Sequence, residues 1–364
     1  MKPAEQLNQF GQSAWLDLIG RKMIQTGELL RMSQEDGIRG VTANPAIFEK
    51  AIVESHDYDE ELKGIKDKTP LQVYEAIAIA DVRSACDVLR PLFDRLNGKD
   101  GFVSLEVSPE IARDTAATLG EAKRFWAAVD RPNLLVKIPA NREGIPAIRA
   151  ATAAGISINI TLIFSCAVYQ QVMEAYLSGL EERAQHGLDL SRIHSVASFF
   201  VSRVDTLVDK MLEAKGTPEA KALLGKIAVA NAKEAYQRFL KVVGSPRWKA
   251  LEAKGATRQR PLWASTGTKN KAYSDVLYVE QLIGQDTVNT IPLATLQAFN
   301  GHGKAAETLT KDVEQARAQL AQLSKVGIDL EKACSQLTEE GLELFTKALR
   351  GLLAAIGGRA GSAH

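Results

Sequence analysis

Asn133-Leu-Leu-Val-Lys137-Ile-Pro139-Ala-Asn141 places one lysine inside an apolar run of strand length that stops at Pro139. Lysine is among the residues least often fully buried. Burial disfavours its charged form, which is how some lysines become amine nucleophiles. At the ordinary lysine pKa only about one side chain in a few thousand is neutral near pH 7, so such a depression matters to chemistry. A lone lysine in an apolar run is more often an ion-paired residue at a strand end. The flanking stretches change that balance, because they read as further short strands, several with a polar group of their own.

Working outward, the other strands are Ser13–Gly20 with Asp17, Gly37–Thr42, Gly101–Ser108 with Glu106, Gly155–Phe164 with Asn159 and Thr161, Ser195–Val201 with Ser198 and Phe200, Pro261–Ser265, and Asp286–Pro292. Helical stretches separate them. Met23–Glu35 has apolar periodicity weakened by Gly27, and Asn44-Pro45 reads as an N-cap followed by proline at the first helical position. Thr69-Pro70 opens a long helix, expected to be cut by Pro91 and to finish near Asn97-Gly98. Further helices are expected over Pro109–Val129, Arg142–Ala154, Ser165–Glu182, Asp205–Lys210 and Pro218–Val243. Eight apolar strands alternating with helices predict an α/β fold, a (β/α)8 TIM barrel with strands between about residues 13 and 292. The surplus falls in the Ala46–Gly98 and Ser202–Gln259 regions and in a tail, Lys304–Gly357, read as helices on the barrel's outside or mouth. Lys63–Lys68 reads as a charged connector and Ala360–His364 as an unstructured end; no linker divides residues 1–364, which predicts one domain.

Composition excludes several classes of function. Forty-five basic against forty-four acidic residues leave a formal charge of +1, so no bulk attraction to nucleic acid or membrane is expected. Cys86, Cys166 and Cys334 are far apart and form no CxxC, which argues against disulfides or a zinc site and suits a reducing compartment. The five histidines show no HxxH or HExxH spacing, and neither a metal nor a cofactor is expected. Met1–Gly11 lacks the apolar core of a signal peptide, and the apolar region Ile148–Tyr169 is interrupted by Arg149, Gly155, Asn159 and Thr161. The expected location is the cytoplasm.

In a parallel barrel, reacting groups come from the C-terminal halves of several strands and meet at one mouth. Asp17, Glu106, Lys137 and Thr161 sit on four strands. Each alone has an ordinary explanation as a cap, an ion pair or a strand residue. Together, two acids and a lysine on three apolar strands are costly, because buried charges lose several kcal/mol each unless compensated. The chemistry that fits is imine formation: a neutral Lys137 amine attacks a ketone, water leaves, and the iminium acts as an electron sink. Glu106 and Thr161, on strands flanking Lys137, suit the activation of that water, and Asp17 suits proton removal from a substrate hydroxyl. Ser265-Thr-Gly-Thr-Lys269-Asn follows the seventh strand, where such barrels frequently bind phosphate. Lys269 and backbone amides near Gly267 suit a phosphate monoester, and Arg203 can add a bidentate contact.

The chain closely resembles transaldolases, in the longer bacterial form with extra C-terminal helices. The resemblance runs from about Ser13 to Ile356 and rests on Trp15-Leu-Asp17, Gly40-Val-Thr-Ala-Asn44-Pro45, Ser104-Leu-Glu106-Val, Leu135-Val-Lys137-Ile-Pro, Asn159-Ile-Thr161-Leu-Ile-Phe-Ser165, Ala197-Ser198-Phe-Phe200-Val-Ser-Arg203 and Trp263-Ala-Ser265-Thr-Gly-Thr-Lys269-Asn. It implies a barrel circularly permuted relative to ordinary class I aldolases. It also implies Schiff-base transfer of a dihydroxyacetone unit from fructose 6-phosphate or sedoheptulose 7-phosphate to erythrose 4-phosphate or glyceraldehyde 3-phosphate, in the non-oxidative pentose phosphate pathway. By the same resemblance Lys137 is the imine lysine, Asp17 the acid–base at the hydroxyl, and Glu106 with Thr161 the pair that handles the catalytic water. Asn44, Asn159 and Ser198 resemble contacts to substrate hydroxyls, and Arg203 and Ser265 resemble phosphate contacts. Gly267 stands where shorter transaldolases carry an arginine, and Lys269 is expected to supply that charge; Thr266 stands where an aromatic is common.

The nearest alternative is a free fructose 6-phosphate aldolase, whose shorter chains tend to carry Gln and Tyr in place of Glu106 and Phe200. A fused isomerase would need a further large domain. A non-catalytic sugar-phosphate binder would need the phosphate groups but not the buried lysine with two acids. Metal-dependent aldol chemistry is disfavoured by the lack of clustered histidines. Homo-oligomerisation stays open at this level.

Overall fold

The computed structural model describes residues 1–63 and 68–361. Eight strands, β1 (Gln12–Leu16), β2 (Ile38–Val41), β3 (Phe102–Glu106), β4 (Leu134–Pro139), β5 (Ile158–Ile163), β6 (Ser195–Phe200), β7 (Gln259–Ala264) and β8 (Thr287–Ile291), form a closed barrel in chain order. Every neighbouring pair is parallel, and β1 closes on β8 from Gln12 opposite Thr287 to Leu16 opposite Ile291. The eight expected strands are all present, each within a few residues of its predicted bounds.

The strands are near-continuous hydrophobic runs because both faces are covered, as a parallel sheet requires. Lys137, Thr161, Ser198 and Phe200 line a cavity at the mouth, and Phe102, Leu135 and Val196 line one at the opposite end. These residues share the inner face of their strands. The alternate positions, among them Val103, Leu105, Val136, Ile138 and Ile160, are fully or almost fully buried and belong to the core around the barrel. The register sets Glu106 beside Lys137 and Lys137 beside Asn159, so three polar residues share one level of the inner face.

Several helices depart from expectation. Gly27 takes φ +76°, a left-handed conformation that a helix interior excludes, so the expected Met23–Glu35 helix is two, Arg21–Gln25 and Glu28–Glu35. Pro91 does not cut its helix, which runs unbroken over Pro70–Arg95 behind a Thr69–Gln72 capping box. Pro91 removes the donor to the Asp87 carbonyl, but both residues are exposed, so water can satisfy that oxygen. The stretch after Pro109 makes only a short 3-10 turn, and the helix proper starts at Thr115 behind the Asp114 N-cap. The Pro218–Val243 stretch is two helices, Pro218–Lys221 and Ile227–Val243, and the helix after β6 is longer than expected, Ser202–Lys215.

The tail forms the Val313–Lys325 helix and a long C-terminal helix, Leu330–Gly361. The latter crosses the Pro45–Val53 helix and brings Phe345 into the mouth. It continues through Ala360 and Gly361, so the expected unstructured end does not start at Ala360; residues 362–364 lie outside the described residues, as do residues 64–67 of the expected connector. No helix among the described residues is long and apolar enough to cross a membrane.

Candidate active site

The side chain at the centre of the mouth is Lys137. It is 4% exposed, its Nζ lies 3.0 Å from Glu106 Oε2, and it donates to the Ala43 carbonyl at 3.2 Å. The Phe345 ring stands over it, 5.9 Å from Nζ to the ring centroid. A buried pair of this kind is poor evidence of stabilisation, since desolvation offsets most of the attraction. Its retention at the C-terminal ends of two adjacent barrel strands points to chemistry.

Asp17 follows β1 directly and lines the same cavity, which has a volume of about 190 Å³. Its Oδ1 accepts from Thr42 Oγ1 at 2.7 Å, and Thr42 in turn lies 2.6 Å from Thr290 Oγ1. Burial pushes the Asp17 carboxyl above the ordinary carboxylate value, against the opposing influence of Lys137, the Thr42 hydroxyl, Lys269 and Arg203. Burial likewise raises Glu106, opposed chiefly by Lys137. Two carboxyls that hold protons more readily than usual beside a primary amine are suited to proton shuttling.

Thr161 completes the expected quartet. Its Oγ1 is buried and has no hydrogen-bond partner among the described residues. The next residue, Leu162, takes φ +59°, and the β5–β6 pairing shifts register between Ile160 and Ile163. Such local irregularities re-aim side chains and recur beside functional sites. Ser265, at the end of β7, is also left-handed at φ +56° and pairs its hydroxyl with Ser202 at 2.9 Å.

The expected binding residues divide into two groups. Asn44, Ser198, Phe200, Arg203, Ser265 and Lys269 all line the cavity. Asn44 both caps and faces the mouth: its Oδ1 accepts from the Ile47 amide at 3.0 Å. Arg203 lies over the Phe200 ring at 5.5 Å, and burial lowers it from the ordinary guanidinium value while Glu340 and Asp17 act the other way. Asn159 and Glu106 are set back from the cavity wall. The Asn159 amide donates to Ser104 Oγ at 3.0 Å and accepts from Ser198 Oγ at 2.7 Å, so it orients a lining hydroxyl rather than presenting its own amide. Glu106 meets the cavity through Lys137.

Thr42, Thr290 and Phe345 are among the lining residues that went unassigned from sequence. Thr42 lies two positions before Asn44, and that proximity was a usable signal. Phe345 falls on an apolar helical stripe that reads as core, and nothing local marks it as part of the mouth.

A larger cavity, about 550 Å³, opens at the opposite end of the barrel. Six of its charged side chains, Arg39, Asp100, Glu252, Arg258, Arg260 and Asp286, pair with one another. Arg260 bonds Ser13, the Thr287 carbonyl and Asp100, and Arg258 bonds Glu252 and Asp286. The smaller cavity has the chemically equipped wall. Among the described residues there is no group of three His, Cys, Asp or Glu side chains placed to hold a metal ion.

The family model described as Transaldolase/Fructose-6-phosphate aldolase matches residues 14–356. Transaldolase 2 of Streptomyces coelicolor is 49% identical over 352 residues, covering 96% of this chain and 95% of that protein. The transaldolase of Thiobacillus denitrificans is 47% identical over 359 residues, covering 98% and 100%, and that of Thermobifida fusca is 48% identical over 355 residues, covering 96% of each.

Proposed function

The chain belongs to the transaldolase/fructose-6-phosphate aldolase family, and on that premise we propose that it works as a transaldolase through an imine on Lys137. It moves a dihydroxyacetone unit from sedoheptulose 7-phosphate or fructose 6-phosphate to glyceraldehyde 3-phosphate or erythrose 4-phosphate, in the non-oxidative pentose phosphate pathway. The observation that carries this reading is a buried Lys137, 3.0 Å from Glu106, in one small cavity with Asp17, Arg203 and Lys269.

The neutral Lys137 amine adds to the donor's ketone carbon, and loss of water leaves an iminium. Glu106 and the free Thr161 hydroxyl handle that water, Glu106 by exchanging a proton and Thr161 by a hydrogen bond. Asp17 removes the proton from the hydroxyl two carbons beyond the iminium carbon. The bond between that hydroxyl-bearing carbon and the carbon adjoining the iminium breaks. Its electron pair forms the enamine double bond as the iminium pair returns to nitrogen, and an aldose phosphate leaves. The enamine then attacks the acceptor aldehyde, Asp17 returns its proton, and water releases the new ketose. Ser198, oriented by Asn159, and Asn44 contact the sugar hydroxyls, while Phe200 forms part of the wall and Arg203, Ser265 and Lys269 take the phosphate. Lys269 then supplies the charge that Gly267 lacks. We read the whole chain as one unit acting in the cytoplasm, where its three free, buried cysteines stay reduced.

Borohydride reduction with fructose 6-phosphate, followed by peptide mass spectrometry, tests this directly. A dihydroxyacetone adduct on the Lys137 peptide is expected. No adduct, from folded protein that still binds the sugar phosphate, would overturn the imine reading. Repeating the reaction without borohydride, with and without erythrose 4-phosphate, separates transfer from free dihydroxyacetone release.

A further inference from the structure

Lys269 reaches the mouth from a segment with no regular structure, between the end of β7 at Ala264 and the Leu277–Gln281 helix. Lys269, Asn270, Lys271 and Ala272 are all exposed. A lysine on such a loop would ordinarily lose much freedom each time it closed on a ligand. This loop is tied down. Thr266 donates to Asn289 Oδ1 at 2.8 Å, Thr268 donates to the Ser274 carbonyl at 2.8 Å, and the Ala272 amide donates to Asn270 Oδ1 at 2.9 Å.

A further tie reaches the helix that follows β6. The Tyr273 hydroxyl donates to Asp209 Oδ2 at 2.8 Å, and Asp209 lies on the Ser202–Lys215 helix whose first turn carries Arg203. The other Asp209 oxygen accepts from the Gly225 amide at 3.0 Å. Gly225 has φ +69°, and a Cβ there would stand 2.7 Å from the Tyr273 ring, so the ring lies against bare backbone. A second bond repeats the pattern just beyond the loop. Tyr278 donates to Asp205 Oδ2 at 2.9 Å, and Asp205 Oδ1 accepts from the Ala228 amide at 2.7 Å. Two tyrosine–aspartate bonds thus join the element that bears Arg203 to the segment that bears Lys269 and to the helix that follows it.

We infer that the Tyr273–Asp209 bond, backed by Tyr278–Asp205, is a positioning clamp that fixes Lys269 relative to Arg203 and so sets the enzyme's preference for a phosphorylated donor. The inference rests on Arg203 and Lys269 being the phosphate contacts. Each aspartate also accepts from a backbone amide, so both of its oxygens are held, which suits a joint that must hold an exposed loop. Preorganised charges bind a phosphate without an ordering cost at each turnover.

Tyr273→Phe removes one hydroxyl and leaves Asp209 its Gly225 partner. With an unphosphorylated aldehyde as acceptor, the KM for fructose 6-phosphate is expected to rise about tenfold while kcat changes less than about twofold; kcat/KM for fructose stays the same. Lys269→Met should raise the KM for fructose 6-phosphate at least as much, and the double variant should be no worse than Lys269→Met alone, because the clamp acts through Lys269. An equal loss with both donors, additive losses in the double variant, or no change in Tyr273→Phe would each overturn the clamp. A Lys269→Met variant with unchanged KM for fructose 6-phosphate would overturn the phosphate reading beneath it.

Discussion

At the scale of single residues, the mouth separates groups that serve the fold from groups that do not. Asn44 caps a helix, a contribution of about 1 kcal/mol, whatever else its amide does. Thr161 Oγ1 does nothing of the kind, because it is buried without a partner among the described residues. Replacing it with valine removes a desolvated hydroxyl at constant shape. Thr161→Val is therefore expected to match or exceed the parent in thermal melting, by up to about 1 kcal/mol, while transfer falls by about a hundredfold or more. A loss of both stability and activity would mark Thr161 as structural. Lys137→Met leaves Glu106 buried without its cation, and burial already favours the protonated carboxyl. The variant is expected to lose on the order of a thousandfold or more in transfer rate. It should form no borohydride adduct while keeping its far-ultraviolet circular dichroism.

Among the elements, the C-terminal helix matters most to the site beyond the barrel itself. It packs on the Pro45–Val53 helix and carries Phe345 over Lys137, and Gly341 lies so close to Leu162 that a Cβ would stand 2.8 Å from its side chain. The helix thus presses on the strand segment where the backbone is strained. In the proposed mechanism the iminium on Lys137 is cationic where the attacking amine is neutral, and an aromatic face at this distance stabilises a cation by about 0.5–2 kcal/mol. Phe345→Leu keeps most of the volume, so its melting temperature is expected to stay within a few degrees of the parent. Imine formation, followed by rapid-quench reduction, should slow by roughly two- to thirtyfold. An unchanged rate would show that the ring only fills space. The same helix was legible as a helix from its apolar spacing, but its meeting with Lys137 spans more than two hundred residues of chain and leaves no local mark.

For the whole molecule, pH reveals how the far end of the barrel is built. His194 is 9% exposed, packs edge-on against Phe93 and tilted against Phe102, and burial lowers its pKa from 6.5 to about 4. Above pH 6.5 the ring is neutral folded or unfolded. Below it the unfolded chain takes a proton that the folded chain refuses, so stability falls as pH drops towards 4, by about 3 kcal/mol. His194→Leu should remove that slope, so that its stability relative to the parent rises between pH 6.5 and 4; a parallel pair of pH profiles would refute the assignment. The sequence alone determined the eight strands and their order, because each is a short apolar run between turn residues and buried on both faces. It also marked Asp17, Glu106, Lys137 and Thr161, because charged or polar groups stand out in such runs. Only the tertiary structure decided that Pro91 could stay inside a helix, since that depends on which side of the helix meets water. It alone set Asn159 behind Ser198, brought Phe345 over Lys137, and tied the Lys269 loop to the helix of Arg203. Those contacts join segments far apart in the chain, and local patterning carries no information about which distant surfaces meet.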